Sequence, residues 1–260
     1  MQKLAVGIEY DGSMYCGWQK QKFAISIQEC IEKALYEITS EFITVFCAGR
    51  TDSGVHALDQ VIHFETKLKR SYSAWILGMN RHLPQNIRVR WVSLVDKSFH
   101  ARFSAISRRY YYFIDNDYIR SVFLLKKSWH YRKILDVYKM SNAAQYLLGE
   151  NDFSAFRAEG CQSNSSWREL YHIQVIRQGR CVVIDISANA FVYRMVRNIV
   201  GSLVEVGCGN QPEIWILELL RVRKRSLAGI TAPAKGLFLA KIEYPKHLFL
   251  LKNKNKSFSN

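Results

Sequence analysis

A segment near residue 50 carries the residue types that acid–base or nucleophilic chemistry requires. Residues 46–57 read F-C-A-G-R-T-D-S-G-V-H-A and place Arg50, Asp52 and His56 close together. Two glycines bracket the arginine and the aspartate, and glycine lets a backbone approach a ligand closely. A carboxylate in such a loop can act as a base or as a nucleophile. A surface turn in which Asp52 caps the next segment and Arg50 is solvated fits the local pattern equally.

A run of aromatic residues flanked by arginines forms a second candidate site. Residues 108–113 read R-R-Y-Y-Y-F within a predicted strand. Because side chains alternate along a strand, Tyr110 and Tyr112 share one face, while Tyr111 and Phe113 share the other. One face can belong to the core and the other can stack an unpaired nucleobase. A strand packed on both faces explains the run as well.

Basic side chains in or near predicted helices form a third group. Arg194 and Arg197 lie three residues apart in an apolar helical pattern, so they occupy neighbouring parts of one helix surface. A cation there either reaches water or pairs with a buried carboxylate, for which Asp52 is the predicted partner. Arg102 adds a further basic group. A cluster that the helix dipole and solvation explain comprises Arg221, Arg223, Lys224 and Arg225.

The charge balance indicates a polyanionic partner. The chain has 260 residues, with 37 Lys and Arg against 22 Asp and Glu, which gives a formal net charge of +15. Nucleic acid is the simplest partner for such a charge. An anionic membrane would attract it too, but we find no basic amphipathic helix, no long apolar run and no signal peptide. A cytoplasmic protein is therefore expected.

Several familiar chemistries lack their motifs in this chain. We find no phosphate-binding loop, dinucleotide-binding turn, nucleophile elbow or H-E-x-x-H sequence. The six cysteines are scattered without a C-x-x-C pair, and the seven histidines lack clustered metal-ligand spacing. A lone histidine in a strand, such as His63, is more often packed than a ligand. No metal or other cofactor is therefore expected.

The elements around residue 50 form a β-α-β-β-α-β series. Ser26 and Glu29 have the spacing of a capping box, and apolar residues then recur at helical spacing to residue 38. Strand patterns cover residues 4–10, 43–47, 60–65 and 87–95, and a second helix pattern covers residues 73–81. The candidate loop therefore joins neighbouring strands.

The second half repeats that order of elements without sequence identity to the first. Strand patterns cover residues 106–115, 172–177, 181–188 and 237–244, and helix patterns cover residues 134–148, 192–204 with Gly207 as C-cap, and 214–220. The prediction is an α+β fold of two tandem ferredoxin-like or RRM-like halves, with a mainly antiparallel sheet and an active-site cleft between them. We expect residues 1–104 to form the first half, 105–245 the second, and 246–260 a frayed basic tail.

Seven motifs in order give the chain a resemblance to a known family. They are G-I-E-Y-D-G-S (7–13), G-W-Q (17–19), A-G-R-T-D-S-G-V-H-A (48–57), F-H-A-R-F-S-A (99–105), R-R-Y-Y-Y (108–112), G-E-N-D-F-S-A-F-R (149–157) and M-V-R-N-I-V-G-S-L-V-E-V-G (195–207). Together they resemble the tRNA pseudouridine synthase A family from about residue 7 to residue 244.

The resemblance implies an isomerase that converts uridine to pseudouridine at positions 38, 39 and 40 of the tRNA anticodon stem-loop. It implies a homodimer that needs no cofactor and binds RNA in positive clefts. The family's catalytic aspartate falls on Asp52, and the arginine thought to displace the target base falls on Arg50. The substrate-binding tyrosine falls on Tyr110, and the arginine that supports the catalytic carboxylate falls on Arg197. Ser53 stands where alanine is frequent in the family.

Two other functions remain open from the sequence. A non-catalytic RNA-binding protein with two RRM-like units would explain the charge and the tyrosine strand. A hydrolase would use Asp52 with His56, and it requires the two side chains to converge. His56 directed elsewhere would argue against the hydrolase.

Overall fold

The computed structural model describes residues 1–250, which contain ten strands and five α-helices. The strands are β1 (Gln2–Tyr10), β2 (Phe46–Cys47), β3 (His56–Thr66), β4 (Ile87–Leu94), β5 (Ser107–Asp115), β6 (Trp129–His130), β7 (Gly149–Asp152), β8 (Trp167–Gln178), β9 (Cys181–Ala188) and β10 (Leu237–Glu243). The helices are α1 (Ile27–Thr39), α2 (Tyr72–His82), α3 (Val137–Gln145), α4 (Met195–Gly207) and α5 (Trp215–Val222). Within residues 1–250 no helix combines the length and the apolar character needed to span a membrane.

The chain divides into two compact units. The first consists of Met1–Ile106 together with the segment that begins at Lys241, and the second is Ser107–Ala240. The boundary between Ala240 and Lys241 lies within β10. The C-terminal segment from Lys241 therefore belongs to the first unit, although it follows the second unit in the sequence.

The first unit is an antiparallel sheet with two helices. β1 pairs with both β4 and β3, and β2 pairs with β3, which gives the strand order β4-β1-β3-β2. The strand predicted for residues 4–10 is confirmed, and Leu4, Val6 and Ile8 on one face of β1 are at most 1% exposed. The Ser26 hydroxyl accepts a hydrogen bond from the Glu29 N–H at 3.3 Å, which confirms the predicted cap of α1.

The second unit has a mixed pairing pattern. β9 lies between β5 and β8, and β7 pairs with β8, all antiparallel. β6 pairs with β5 in parallel, with Ile114 opposite Trp129. The sequence pattern contained neither β6 nor β7, because two- to four-residue segments are too short to show a period. The repetition of the first unit's arrangement therefore stays a prediction.

Two details of helix α4 differ from the predicted ones. The helix begins at Met195, and Arg194 precedes it in the left-handed conformation at φ 58°, so placing Arg194 inside the helix was wrong. Gly207 is the last helical residue, and a β-carbon there would lie 2.6 Å from the Met140 sulfur. Close packing against α3, and not a left-handed cap, explains this glycine.

The segment after β10 is partly packed. Lys246–Leu248 form a short 3₁₀ helix, Leu248 is 9% exposed, and Phe249 pairs with Val95. The expectation of a frayed tail from Lys246 onward is wrong up to residue 250, because these apolar side chains pack on the first unit. The remaining tail lysines, Lys252, Lys254 and Lys256, lie outside the described residues.

Candidate active site

The loop with Arg50 and Asp52 connects two neighbouring antiparallel strands. Cys47 on β2 is opposite Ile62 on β3, and the Ala48 N–H donates to the Val61 carbonyl at 2.8 Å. The predicted strand over residues 43–47 is reduced to Phe46–Cys47. Both ends of the loop are therefore tied to β3, as the sequence predicted.

A buried amide fixes the backbone beside Arg50. The Gln60 side chain is fully buried; its Nε2 donates to the Gly49 carbonyl at 2.6 Å, and its Oε1 accepts from the Gly49 N–H at 3.4 Å. On the other side of Arg50, the hydroxyls of Tyr10 and Thr51 are 2.7 Å apart. Hydrogen bonds from β1 and β3 thus fix the backbone on both sides of Arg50.

A second segment of backbone, residues 15–18, contacts the loop closely. The Trp18 N–H donates to the Thr51 carbonyl at 3.0 Å, and the Ser53 hydroxyl donates to the Tyr15 carbonyl at 3.1 Å. A β-carbon on Gly17 would lie 2.7 Å from the Thr51 oxygen, and Gly17 has φ +82°. Only glycine combines this conformation with this approach.

Asp52 opens a tight turn. The Val55 N–H donates to the Asp52 carbonyl at 3.1 Å, and Gly54 takes φ +80°. Asp52 is half-buried, whereas Arg50 is exposed. A turn is present, as the simpler interpretation expected, but contacts from three other segments support it. Such support suits a loop whose side chains must be held in position.

His56 contacts the residues that follow β1. The imidazole is 1% exposed, and its Nδ1 lies 3.0 Å from an Asp11 carboxylate oxygen and 3.2 Å from the Gly12 nitrogen. Nδ1 accepts from Gly12 when it carries no proton and donates to Asp11 when it does. Through Nδ1, the histidine therefore links the start of β3 to the segment that follows β1, and Asp11 and Gly12 engage this nitrogen.

The cysteine before the loop is not an activated thiol. Burial raises the pKa of Cys47 to about 12, although the positive charges of Arg50 and Arg102 act in the opposite direction. The thiol is therefore protonated at neutral pH, and Asp52 remains the candidate reactive group on this segment.

Tyr110 lies on β5 in the second unit. It is 9% exposed, and the ring of Phe191 meets it edge-on with centroids 5.1 Å apart. Tyr112, on the same face, is fully buried and donates to the Pro233 carbonyl at 2.8 Å. Tyr111, on the opposite face, is half-buried beneath the Arg109 guanidinium. The face with Tyr110 and Tyr112 is thus the more buried one.

Arg197 is the third residue of α4 and is held by main-chain groups. Its Nε donates to the Ala232 carbonyl at 2.7 Å, and its own carbonyl accepts from the Ala232 N–H at 3.1 Å. A β-carbon on Gly201 would lie 1.7 Å from the Ile230 oxygen, so residues 230–232 lie directly on the helix. The direction of the guanidinium is therefore fixed within the second unit.

One basic residue has a different role from the predicted one. Arg225 donates from Nη2 to Asn198 Oδ1 at 3.1 Å and to the Thr231 hydroxyl at 3.0 Å, and from Nη1 to the Gly229 carbonyl at 3.0 Å. Burial lowers its pKa. Solvation does not explain this arginine; it ties residues 229–231 to α4, which also carries Arg197.

Three residues position the loop without having been predicted to do so. Gln60 had one detectable signal, since it is a polar residue directly before the apolar pair Val61 and Ile62 in a predicted strand. Tyr10 and Gly17 lie in the motifs at 7–13 and 17–19, but their positioning role was not predicted, because it depends on contacts between distant segments. Within residues 1–250, no three His, Cys, Asp or Glu side chains are grouped as metal ligands.

Comparisons with known proteins agree along most of the chain. A family model described as tRNA pseudouridine synthase matches residues 7–104 and 143–245. The tRNA pseudouridine synthase A of Blochmanniella pennsylvanica is 70% identical over 245 residues, which cover 94% of each chain. That of Blochmanniella floridana is 68% identical over 252 residues, or 97% of this chain and 100% of the relative. That of Klebsiella pneumoniae subsp. pneumoniae is 57% identical over 245 residues, or 94% and 91%. The chain belongs to the tRNA pseudouridine synthase A family and is an isomerase.

Proposed function

We propose that the protein converts uridine to pseudouridine at positions 38, 39 and 40 of the tRNA anticodon stem-loop, with Asp52 as the catalytic carboxylate. The observation that carries this proposal is the construction of the loop: a half-buried carboxylate beside an exposed arginine, held by Gln60, Tyr10 and Gly17. A chain that only bound RNA would not require a carboxylate in so constrained a position.

The reaction explains why a carboxylate is needed. The bond between uracil N1 and ribose C1′ breaks, a bond from C5 to C1′ forms, and the proton on C5 is lost while N1 gains one. A carboxylate near the anomeric carbon can serve as a nucleophile or as a base in this sequence. Atoms are conserved between substrate and product, so the isomerisation itself consumes no oxidant or reductant.

Arg50 is proposed to take the place of the target base. A uridine inside a stem must leave the stack before the enzyme reaches its glycosidic bond, which costs a few kcal/mol. Arg50 is exposed, and its backbone is fixed on both sides by Gln60 and Thr51. A cation held there can enter the vacated space and interact with the neighbouring phosphates.

Tyr110 and Arg197 complete the proposed site. Tyr110 would stack on the detached uracil while it rotates, and Arg197 would pair with Asp52 and keep its carboxylate ionised. In support, Phe191 fixes the Tyr110 ring, and Ala232 fixes the direction of the Arg197 guanidinium. We also propose that the two units are related RRM-like arrangements and that the protein acts as a homodimer.

The test is position mapping on defined RNAs. Unmodified anticodon stem-loops would carry a single uridine at position 38, 39 or 40, and pseudouridine would be located after treatment with the protein in the presence of EDTA. We expect modification of each of these three RNAs and none of a loop with uridine only in the upper stem. RNA binding without product at any position would contradict the proposal.

A further inference from the structure

Exposed aromatic rings lie beside the candidate loop in the first unit. The Phe46 and Phe103 side chains are 50% and 75% exposed, and His100 is half-buried between them. The His100 ring centroid is 5.7 Å from that of Phe46 and 4.4 Å from that of Phe103. We call these three residues the aromatic platform. The catalytic steps proposed above do not use it.

The platform is built on a preorganised turn. His100 Nδ1 accepts hydrogen bonds from the N–H groups of Arg102 at 3.1 Å and Phe103 at 3.3 Å. The His100 N–H donates to the Ser104 hydroxyl at 2.9 Å, and the Ser104 N–H donates to the His100 carbonyl at the same distance. These four bonds fix the backbone that presents the Phe103 ring, so little conformational entropy remains to be lost on binding.

A buried histidine supports the platform from behind. His63 stacks on Phe46 with centroids 5.1 Å apart, and its Nδ1 accepts from the Ala101 N–H at 3.1 Å. Burial and the adjacent His100 lower the pKa of His63 to about 4, and burial also lowers the pKa of His100. Both imidazoles are therefore neutral at physiological pH, and the platform offers uncharged aromatic faces.

Positive charge borders these faces and links them to the loop. The exposed Arg102 guanidinium lies 5.5 Å from the Phe103 ring centroid. The charges of Arg102 and Arg50 both act on the Cys47 thiol, which follows Phe46 in the chain. An aromatic surface with an adjacent guanidinium complements a nucleotide, whose base stacks while its phosphate is neutralised.

We propose that Phe46, His100 and Phe103 form a stacking site for an unpaired base of the RNA substrate near the target uridine, with Arg102 contacting its phosphate. The inference rests on the proposed function, because it assumes that the same RNA reaches the loop at Asp52. The stacking site would be a second RNA-recognition element in the first unit, separate from the residues proposed to take part in bond making and breaking.

The test compares two substitutions of Phe103. This side chain is 75% exposed, so replacing it does not disturb the folded core. Phe103→Leu keeps apolar volume but removes the aromatic face, and Phe103→Trp keeps the face. We expect the Kd for an anticodon stem-loop to rise about 5- to 150-fold in Phe103→Leu, the range of single base–aromatic stacks, and to stay near the original value in Phe103→Trp. Arg102→Gln should reduce the slope of log Kd against log salt by about 1.

A matched control and a local probe make the result specific. Phe42 is 94% exposed and stacks on Tyr36 at 4.7 Å, so Phe42→Leu removes a similar ring elsewhere in the same unit and should leave the Kd unchanged. 2-Aminopurine would replace each unpaired base of the RNA in turn. The original protein should quench its fluorescence at one of these positions. That quenching should disappear in Phe103→Leu.

The outcomes separate this inference from the proposed function. Pseudouridine formation by the original protein, together with an unchanged Kd and unchanged quenching in Phe103→Leu, would overturn the stacking site alone and point to another occupant, such as an apolar protein surface. Absence of pseudouridine, together with the expected loss of affinity and quenching, would support the stacking site and contradict the proposed function.

Discussion

At the scale of single residues, the candidate site depends on buried polar groups whose hydrogen bonds are satisfied. The Gln60 amide is fully buried, and both of its polar ends bond to Gly49. Burying an amide costs free energy unless such partners are present. Asp52 and Arg50 could be predicted from their spacing and from the family motif. The role of Gln60 could not, because its partner Gly49 lies in a loop eleven residues away.

His63 provides a pH-dependent prediction at this scale. Its pKa in the folded protein is about 4, against 6.5 for an ordinary histidine, so the unfolded chain takes up the proton first as pH falls. The stabilising contribution is complete above about pH 6.5 and is lost toward pH 4, by up to about 3 kcal/mol.

Chemical denaturation of the original protein and of His63→Gln across this range tests the prediction. Glutamine is similar in size to histidine and does not titrate. We expect the free energy of unfolding to fall less steeply with decreasing pH in His63→Gln. Equal pH dependence in the two proteins would show that His63 does not carry the effect.

At the scale of elements, local signals predicted the regular structure and tertiary contacts decided the remainder. The serine cap and apolar spacing identified α1 nearly to the residue, and alternation identified β1. The predicted helix over residues 134–148 shortened to Val137–Gln145, because the Asp136 carboxylate caps it by accepting from the Lys139 N–H. The edge strand β7 was missed, since G-E-N-D has no apolar period and pairs only because β8 is beside it.

Gly17 tests the idea that neighbouring elements position the loop. Gly17→Ala would place a β-carbon 2.7 Å from the Thr51 oxygen and force the loop with Asp52 to move. We expect kcat to fall about 100-fold, since displacement of a catalytic group by about 1 Å costs that much.

Gly209→Ala is the matched control for Gly17→Ala. Gly209 has φ +79°, close to the +82° of Gly17, but nothing lies within 4 Å of its β-carbon position. The two variants share the backbone strain and differ in the clash. Equal kcat values for the two variants, measured at saturating RNA, would show that the approach of Gly17 to the loop is unimportant for catalysis.

At the scale of the whole molecule, the net charge of +15 is the feature that concerns RNA most directly. Each lysine or arginine that contacts a phosphate releases counterions, so affinity should fall as salt rises. We expect the Kd for tRNA to rise at least about tenfold between about 50 mM and about 200 mM salt. A Kd that is independent of salt, measured by fluorescence anisotropy, would exclude phosphate contacts as the main source of affinity.

Substitution of Asp52 tests the proposed catalysis most directly. Asp52→Asn keeps the shape of the side chain and removes the negative charge. Asp96→Asn is the control: it makes the same change at another carboxylate, and its amide oxygen can still accept the hydrogen bond from the Ser98 N–H. The measurement is single-turnover pseudouridine formation, with the Kd for the same RNA determined in parallel. We expect Asp52→Asn to bind RNA normally and to lose about 10²- to 10⁴-fold in rate, and Asp96→Asn to keep the original rate. Pseudouridine formation by Asp52→Asn at the original rate would show that another group carries the chemistry.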